Sequence, residues 1–317
     1  MAPGWRLQLA KWRTMNARHK AEGVDEAPAP SPNDEYLLYQ TLLGSFPVGA
    51  RGAALAHYRE RIAAYMQKAI REAKVHTSWA NVNEAYEAAT ASFVHALLDE
   101  HPANAFLDDL RAAVEPVAWI GYLNSLSIAA VKLTSPGVPD CYQGNEIWDF
   151  SLVDPDNRRP VDYAKRRAML AGLRAIGDSA EGLRAIFAGL ADGRAKLYLY
   201  WRLLALRRER EALFLSGGYT ALRTRGDRAQ HLVAYARRHA GETAITVVPR
   251  LIASLGVRVG ALPCGPEVWG DTRIDLPFLG DGDALHDVLG RREHKVFGAG
   301  LAAADLFSDT PVAVLVR

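Results

Sequence analysis

The sequence predicts an α+β fold that is mostly helical in its N-terminal part and ends in a small antiparallel β-sandwich domain. Before Ala212, apolar residues recur at helical spacing, as in residues 55–74, where they form one stripe beside charged residues. After Ala212, short alternating and β-branched segments are separated by glycine-containing turns. Within the first part, residues 138–142 predict a buried strand followed by a polar loop and a helix. This order is typical of a (β/α) barrel, whose active face lies at the carboxyl ends of its strands.

The first predicted helix covers residues 5–20, because Trp5, Leu9, Trp12 and Met15 share one face opposite basic residues. Residues 21–32 contain alternating prolines, which cannot continue a helix, and therefore predict a linker.

Ser31 is the predicted N-cap of the next helix, with Pro32 in the first turn and Asp34 three residues after the cap. Further helices are predicted over residues 36–46, 55–74, 84–100, 103–114, 164–187 and 196–210, the 164–187 segment being interrupted at residues 177–179. Strands are predicted over residues 231–237, 243–248, 271–276 and 312–316, and loops over 256–266 and 280–290. We accordingly divide the chain into residues 1–32, 33–116, 117–211 and 212–317.

Composition excludes several classes of partner. The 317 residues are 49% hydrophobic, which suffices for a core, and 38 basic against 36 acidic residues leave a net charge of only +2. The two signs are well mixed, so neither nucleic acid nor a membrane surface is an expected partner. The apolar run 117–133 contains Asn124, Ser125 and Lys132, which argue against a membrane span. Two distant cysteines and an N-terminus without a secretory apolar core predict a reduced, cytoplasmic protein.

The stretch 136–163 carries the densest functional signal. After the predicted strand 138–142 comes the polar cluster Gln143, Asn145 and Glu146, followed by a loop rich in carboxylates and arginines. Two interpretations are open from the pattern alone. The segment is either part of the active face of a barrel or a β–α connection with a solvated, salt-bridged loop.

Several motifs in this chain resemble a known family. G-V-P-D-C-Y-Q-G-N-E at residues 137–146 resembles the last barrel strand of the α-amylase family of glycoside hydrolases. L-V-D-P-D-N-R-R-P-V-D-Y at residues 152–163 is similar to one branch of that family, the maltooligosyltrehalose synthases. Residues 37–44 (L-L-Y-Q-T-L-L-G), 71–79 (R-E-A-K-V-H-T-S-W) and 213–219 (L-F-L-S-G-G-Y) resemble the same branch in the same order, so the resemblance covers essentially the whole chain.

The resemblance implies an architecture and an activity. Residues 1–32 would end the seventh barrel repeat, residues 33–116 would be a helical insertion, and residues 117–211 would contain the last barrel strand and helix. The implied activity is that of an isomerase, which converts the reducing-end α-1,4 linkage of a maltooligosaccharide into an α,α-1,1 trehalose linkage by intramolecular transglucosylation. No cofactor is implied. The family's catalytic carboxylates, and its His-Asp-Thr-Lys-Arg motif, would lie before Met1, so we expect a non-catalytic C-terminal portion that pairs with a missing N-terminal barrel half.

The candidate substrate-binding residues follow from this resemblance, and no residue is assigned a catalytic or metal-binding role. They offer an aromatic surface, hydroxyl-binding forks and amide or carboxylate groups: Lys74, His76, Trp79, Tyr142, Gln143, Asn145, Glu146, Asp156, Asn157, Arg158 and Arg159.

Structural roles for several of these residues are open at this point. Glu146 is favoured as a structural carboxylate, His76 could cap a helix end, and Tyr142 could pack at the barrel rim. Arg158 or Arg159 could instead form ion pairs that shape the loop, and Asn157 could serve a turn. For the whole chain, the alternatives are a fragment of another α-amylase-family hydrolase or transglucosylase, or a non-catalytic glucan-binding module.

Overall fold

The computed structural model describes residues 2–24, 27–176, 179–298 and 300–317. These residues form two units by their internal contacts. The first comprises Met1–Ala118 and Phe150–Pro160, and the second comprises Trp119–Asp149 and Val161–Arg317.

The first unit is helical, and the predicted helices are present in it. Its helices are α1 (Ala2–Asn16), α2 (Pro32–Ser45), α3 (Gly52–Ala73), α4 (Glu84–Leu97) and the first part of α5 (Ala105–Thr134). They bury one apolar cluster, in which the rings of Trp12, Tyr39 and Phe106 contact one another with centroids 5.4–5.7 Å apart. The apolar stripe of α3 at Leu55, Tyr58, Ile62, Met66 and Ile70 is fully buried in this cluster.

The predicted linker 21–32 is more ordered than expected. Its residues form two short antiparallel strands, β1 (Ala21–Val24) and β2 (Ala27–Ala29), with Ala21 opposite Ala29. Proline prevents a helix here, but its fixed φ is compatible with extended backbone at the edge of a strand pair. Asp25 and Glu26 of this linker lie outside the described residues.

Ser31 caps α2 as predicted, since its Oγ accepts a hydrogen bond from the backbone N–H of Asp34 at 3.2 Å. Replacing Ser31 by alanine removes this acceptor, and we expect the free energy of unfolding to fall by about 1 kcal/mol. Chemical denaturation of Ser31→Ala beside Ser31→Thr, which keeps the hydroxyl, checks this expectation. An equal loss in both variants would show that the cap does not stabilise α2.

Helix α5 is longer than expected, because the predicted helix 103–114 continues through the apolar run 117–133. Pro116 lies within it and removes one donor without ending the helix. By length and composition α5 could cross a membrane, contrary to our interpretation of the run, although core helices of soluble proteins meet the same criterion. Within the 18-residue window of α5 that meets this criterion, 44% is buried inside the protein.

The second unit continues with helices and ends in antiparallel sheets. Its helices are α6 (Tyr163–Ile176), α7 (Ala180–Ala188), α8 (Arg194–Glu209), α9 (Glu211–Ser216), α10 (Pro266–Trp269) and α11 (Ala303–Leu306). Its strands are β3 (Gly218–Ala221), β4 (Thr224–Arg225), β5 (Leu232–His239), β6 (Glu242–Pro249), β7 (Arg273–Asp275), β8 (Ala284–Asp287), β9 (Glu293–Lys295), β10 (Gly300–Ala302) and β11 (Ala313–Val316). Gly177 and Asp178, in the predicted interruption between α6 and α7, lie outside the described residues.

The strands form a six-stranded sheet in the order β3-β5-β6-β11-β8-β9 and a three-stranded sheet in the order β10-β7-β4. All described pairs are antiparallel, as predicted, and both sheets contribute to one apolar cluster around Trp269 and Phe307. The expected loop over residues 280–290 was wrong in part, because it contains β8, which pairs with β11 and β9.

The predicted buried strand at residues 138–142 is wrong for this structure. These residues adopt no strand, Val138 is 87% exposed and Tyr142 is 50% exposed. A single strand leaves its backbone N–H and C=O groups unsatisfied unless a neighbouring strand pairs with them. No neighbour for this segment is present among the described strands, which all belong to the β1–β2 pair or to the two C-terminal sheets.

Candidate functional site

The first unit contains a cleft of about 540 Å³ between α3 and the loop 153–159. It combines an aromatic ring, apolar surface and charges of both signs. Its lining residues on or near α3 are His57, Glu60, Arg61, Ala64, Tyr65, Gln67, Lys68 and Trp79, and those on the loop are Val153, Asp154, Pro155, Asp156 and Arg159.

Asp156 is the residue that joins the loop to α3. Its carboxylate accepts two hydrogen bonds from Arg61, from Nε at 2.8 Å and from Nη2 at 2.7 Å, and a third from the backbone N–H of Leu152 at 2.7 Å. Arg61 also donates to the carbonyl of Phe150 at 2.9 Å. The side chains of Asp156 and Arg61 are each only 12% exposed. A bidentate, largely buried pair of this kind sets the loop geometry.

The electrostatics of Asp156 oppose a role as a proton donor. Burial raises the pKa of its carboxyl group, but the hydrogen bonds from Arg61 and Leu152, together with the charge of Arg159, outweigh burial and hold the pKa below its usual value. A general acid needs a pKa near the working pH. Asp156 therefore remains a charged, fully engaged carboxylate that organises the cleft.

Two further cations line the cleft beside this pair. Lys68 donates from Nζ to the carbonyl of Asp154, which fixes the loop to α3 at a second point. Arg159 donates from Nε to the carbonyl of Asp156 at 2.9 Å and lies 3.1 Å from its carboxylate. The side chain of Arg159 is 43% exposed, and its Nη2 donates to the Ser151 hydroxyl at 3.3 Å.

Trp79 provides the exposed aromatic surface. Its side chain is 59% exposed, although tryptophan is usually mostly buried, and the guanidinium of Arg71 lies over the indole at 4.9 Å. The turn that carries Trp79 is closed by hydrogen bonds between Ser78 and Asn81, at 3.0 Å between backbone groups and 2.9 Å to the Ser78 hydroxyl. The ring is thus held from one side and open to the cleft on the other.

Lys74, His76, Asn157 and Arg158 do not line the cleft. Lys74 ends α3 in a left-handed conformation with φ of 55°. The His76 ring stacks on Tyr86 with centroids 4.5 Å apart. Asn157 is exposed within the short 3₁₀ turn Asp156–Arg158.

The ion-pair role left open for the loop arginines is visible in the structure. Arg158, 74% exposed, lies 2.5 Å from the carboxylate of Asp154, and Arg159 contacts Asp156 as described above. The exposed Arg158 pair shapes the loop surface and contributes little to stability.

The other four predicted residues belong to the second unit. Glu146 accepts hydrogen bonds from the backbone N–H of Gly144 at 3.1 Å and from the guanidinium of Arg166, which agrees with a structural role. Gln143 accepts a hydrogen bond from the Tyr163 hydroxyl at 2.9 Å.

Tyr142 and Asn145 stand on either side of the turn in this segment. The backbone N–H of Asn145 donates to the carbonyl of Tyr142 at 3.1 Å, which closes the turn, and half of the Tyr142 side chain is exposed. The exposed Tyr142 ring is available for contact with another molecule, whereas the backbone contact shows Asn145 in a turn.

A cluster in the second unit was not predicted from sequence. Trp148 stacks on Tyr122 with centroids 4.8 Å apart, and Lys196 Nζ lies 5.5 Å from the Trp148 ring and 5.9 Å from that of Tyr200. Burial, and then the charge of Lys132, lower the pKa of the Lys196 ammonium group to about 8.

Sequence reasoning also missed residues of the cleft itself. His57, Arg61 and Lys68 lie on the polar side of α3, which the helical pattern alone predicts to be solvated, and Tyr65, which that pattern assigns to the apolar stripe, lines the cleft beside them. Their spacing of about four residues was a usable signal, because it places them on one side of the helix. Nothing in that spacing indicated that the loop 153–159 would cover this face.

Known proteins resemble this chain over most of its length, although no protein-family model matches it. Over 297 residues, or 92% of its length, it is 35% identical to a protein of Mycobacterium tuberculosis strain H37Rv that is provisionally named a maltooligosyl trehalose synthase. The chain spans about a third (32%) of the length of that relative.

Solved structures give the same result. The maltooligosyltrehalose synthase from Arthrobacter ramosus matches 97% of this chain and is matched over 35% of its own, with a TM-score of 0.71 and 32% identity. A second crystal structure of a maltooligosyl trehalose synthase matches 99% of this chain over 36% of its own, with a TM-score of 0.70 and 28% identity. The resemblance seen in the motifs is therefore confirmed. Nearly the whole of this chain is similar to about one third of the length of each maltooligosyltrehalose synthase compared, and this match fits a C-terminal portion of such an enzyme.

Proposed function

We propose that this chain provides a substrate-binding wall of a maltooligosyltrehalose synthase and that the bond-breaking carboxylates belong to another part of the enzyme. The observation that carries the proposal is the cleft on α3, where the exposed indole of Trp79 lies beside the charged groups of Arg159 and Lys68. A pyranose ring has an apolar face that stacks on an aromatic ring and hydroxyl groups that bind charged donors and acceptors. A maltooligosaccharide is therefore the ligand class that fits both features.

The carboxylates of the cleft loop support a binding role over a catalytic one. Retaining glycoside chemistry needs one carboxyl group free as nucleophile and a second as acid and base, roughly 5–5.5 Å apart. Asp156 is engaged by Arg61 and Leu152, and Asp154 is paired with Arg158. We propose that conversion of the reducing-end α-1,4 linkage to an α,α-1,1 linkage uses carboxylates outside this chain, and that the cleft holds the glucan during the transfer.

The proposed partner is the remaining part of the synthase, in which residues 138–142 would become the last barrel strand. The apolar side chain of Val138, which is 87% exposed, supports this assignment. We also propose that residues 33–116 are the insertion before that strand, and that the C-terminal β domain follows from Ala212. The reducing cytoplasm remains the proposed compartment.

The first experiment tests glucan binding by the purified chain. Titration calorimetry with maltopentaose should show binding, and Trp79→Ala should weaken it about tenfold or more, corresponding to ~1.4 kcal/mol. Val75→Ala is the matched control, because Val75 is 74% exposed in the same segment and does not line the cleft. Binding that survives Trp79→Ala unchanged would remove the cleft from the proposal.

A second experiment tests where catalysis resides. The purified chain should form no trehalose-terminated product from maltopentaose when it is incubated alone. Product should form when the N-terminal two thirds of a related synthase are supplied with it. Turnover by the chain alone would contradict the assignment of catalysis to other sequence.

A further inference from the structure

Glu87 on α4 is a buried carboxylate close to the exposed Trp79, and it has no part in the cleft described above. Its side chain is 8% exposed. Its two oxygens accept hydrogen bonds from Arg71, from Nε at 2.7 Å and from Nη2 at 2.6 Å. These contacts hold the guanidinium in one orientation, because a bidentate pair leaves the plane little freedom.

The oriented guanidinium of Arg71 is the group that lies over the Trp79 ring, 4.9 Å from its centroid. Glu87 also accepts a hydrogen bond from the Thr77 hydroxyl at 2.7 Å, and the same hydroxyl accepts the backbone N–H of Asn83 at 3.0 Å. Glu87 therefore holds both the cation against the indole and the chain two residues before it.

The Glu87 carboxyl group stays ionised throughout the neutral pH range. The hydrogen bonds from Arg71 are the largest influence, opposed by burial and reinforced by Thr77 and Gln67, and they lower the pKa of Glu87 to about 2. A buried ion pair is weak evidence for stability, because desolvation offsets much of its attraction, but it specifies geometry well. The geometry specified here is that of the Trp79 ring.

We infer that Glu87 is a positioning residue that acts through Arg71 to present Trp79 as a fixed flat surface for a sugar ring. This inference rests on the glucan-binding role proposed above. A side chain ordered before binding loses less entropy when the ligand arrives, so fixing the indole strengthens binding without a direct contact from Glu87.

The first readout does not depend on any ligand. With 5-fluorotryptophan incorporated, Trp79→Phe identifies the fluorine resonance of Trp79 among those of the chain's seven tryptophans. Glu87→Gln should shift or broaden that resonance and leave the others in place. Glu84→Gln is the matched control, because Glu84 is exposed one turn earlier on the same helix. An unchanged Trp79 resonance in Glu87→Gln would overturn the inference.

The second readout is coupling in maltopentaose binding. Glu87→Gln should weaken binding about fivefold in the otherwise unchanged chain and much less in Trp79→Phe, because residues that act through each other are non-additive. Arg71→Lys keeps the positive charge but loses the planar guanidinium that donates two hydrogen bonds to Glu87. It should weaken maltopentaose binding as Glu87→Gln does. Equal weakening in both backgrounds would show a merely structural role and overturn the inference.

The two readouts separate this inference from the proposed function. If the unchanged chain fails to bind maltopentaose while the fluorine resonance responds to Glu87→Gln, the glucan-binding proposal fails and the positioning of the indole stands. If maltopentaose binds but neither the resonance nor the coupling responds, the positioning role fails and the binding proposal stands.

Discussion

Replacement of Arg237 by methionine is expected to destabilise the second unit strongly, because it removes a buried guanidinium that serves several backbone carbonyls. Arg237 lies on β5 and is 1% exposed. Its guanidinium donates to the carbonyls of Thr134, Gly217 and Gly218 at 3.3, 2.7 and 3.3 Å. It also donates to those of Leu213 and Phe214 at 3.4 and 3.0 Å.

These acceptors explain the size of the expected effect. The carbonyls of Thr134 and Phe214 lie in the last turns of α5 and α9, where helical carbonyls lack a partner within the helix and attract a cation. The carbonyl of Leu213 also accepts the backbone N–H of Gly217 at 3.0 Å. Methionine fills the volume of the aliphatic part of the arginine side chain but donates no hydrogen bond, so buried carbonyls lose the guanidinium as a partner. We expect the free energy of unfolding to fall by roughly 3 kcal/mol or more, since each unsatisfied buried polar group costs about 1–3 kcal/mol.

Urea denaturation of Arg237→Met and Arg238→Met measures this difference. Arg238 is the adjacent residue on β5, its side chain is exposed, and successive strand residues face opposite sides of a sheet. Arg238→Met should cost less than about 1 kcal/mol. Arg237→Lys should fall between them, because one ammonium group cannot reach all five carbonyls. Similar stabilities for Arg237→Met and Arg238→Met would contradict the role assigned to Arg237.

Replacement of Asp156 by alanine should release the loop 153–159 from α3 and abolish the cleft. The change leaves the guanidinium of Arg61 largely buried without its carboxylate, and it removes the acceptor for the backbone N–H of Leu152. Removing one partner of a buried pair costs about 3–5 kcal/mol, and the partial exposure of this pair places the loss at the lower end. Maltopentaose binding should be lost together with the cleft.

Denaturation, limited proteolysis within residues 150–160 and calorimetry measure the three consequences of Asp156→Ala. Asp154→Ala is the matched control for denaturation and proteolysis, because the Asp154 side chain pairs with exposed Arg158, and Lys68 binds the Asp154 backbone. Asp156→Asn should be milder, since the amide oxygen still accepts one hydrogen bond. A stable, protease-resistant loop in Asp156→Ala would refute the anchoring role.

The stabilisation provided by Asp156 should depend on pH. Because the folded-state pKa of Asp156 lies below its usual value, its pairing stabilises the protein above the unfolded-state pKa of about 3.9. The stabilisation is lost as the pH falls through the lower folded-state value. The difference in unfolding free energy between the unchanged chain and Asp156→Ala should therefore shrink under acid conditions and remain constant near neutral pH.

Much of the local structure could be predicted from the sequence because the signals were local. The N-cap at Ser31, the apolar stripe of α3 and the β-branched run of β6 each depend on residues within a few positions of one another. The segment 138–142 shows the limit of such reasoning. Its composition suits a buried strand, but a strand exists only when another strand supplies its hydrogen-bond partners.

Some residues of the candidate site could be predicted from the sequence and others could not. Trp79, Asp156 and Arg159 were identified from motifs that resemble the synthases, and the structure places all three at the cleft. Arg61 and Glu87 were missed, because each looks like an ordinary charge on the polar face of a helix. What distinguishes them is a partner 95 or 16 residues away, at Asp156 and Arg71 respectively.

The sequence by itself determined the family resemblance, the helical first part and the antiparallel second part, because motif identity and hydrophobic period are properties of neighbouring residues. Only the tertiary structure decided which charges are buried and paired. Burial and long-range pairing arise when distant segments meet, and they separate the anchored Asp156 from the half-exposed Asp154 two residues earlier.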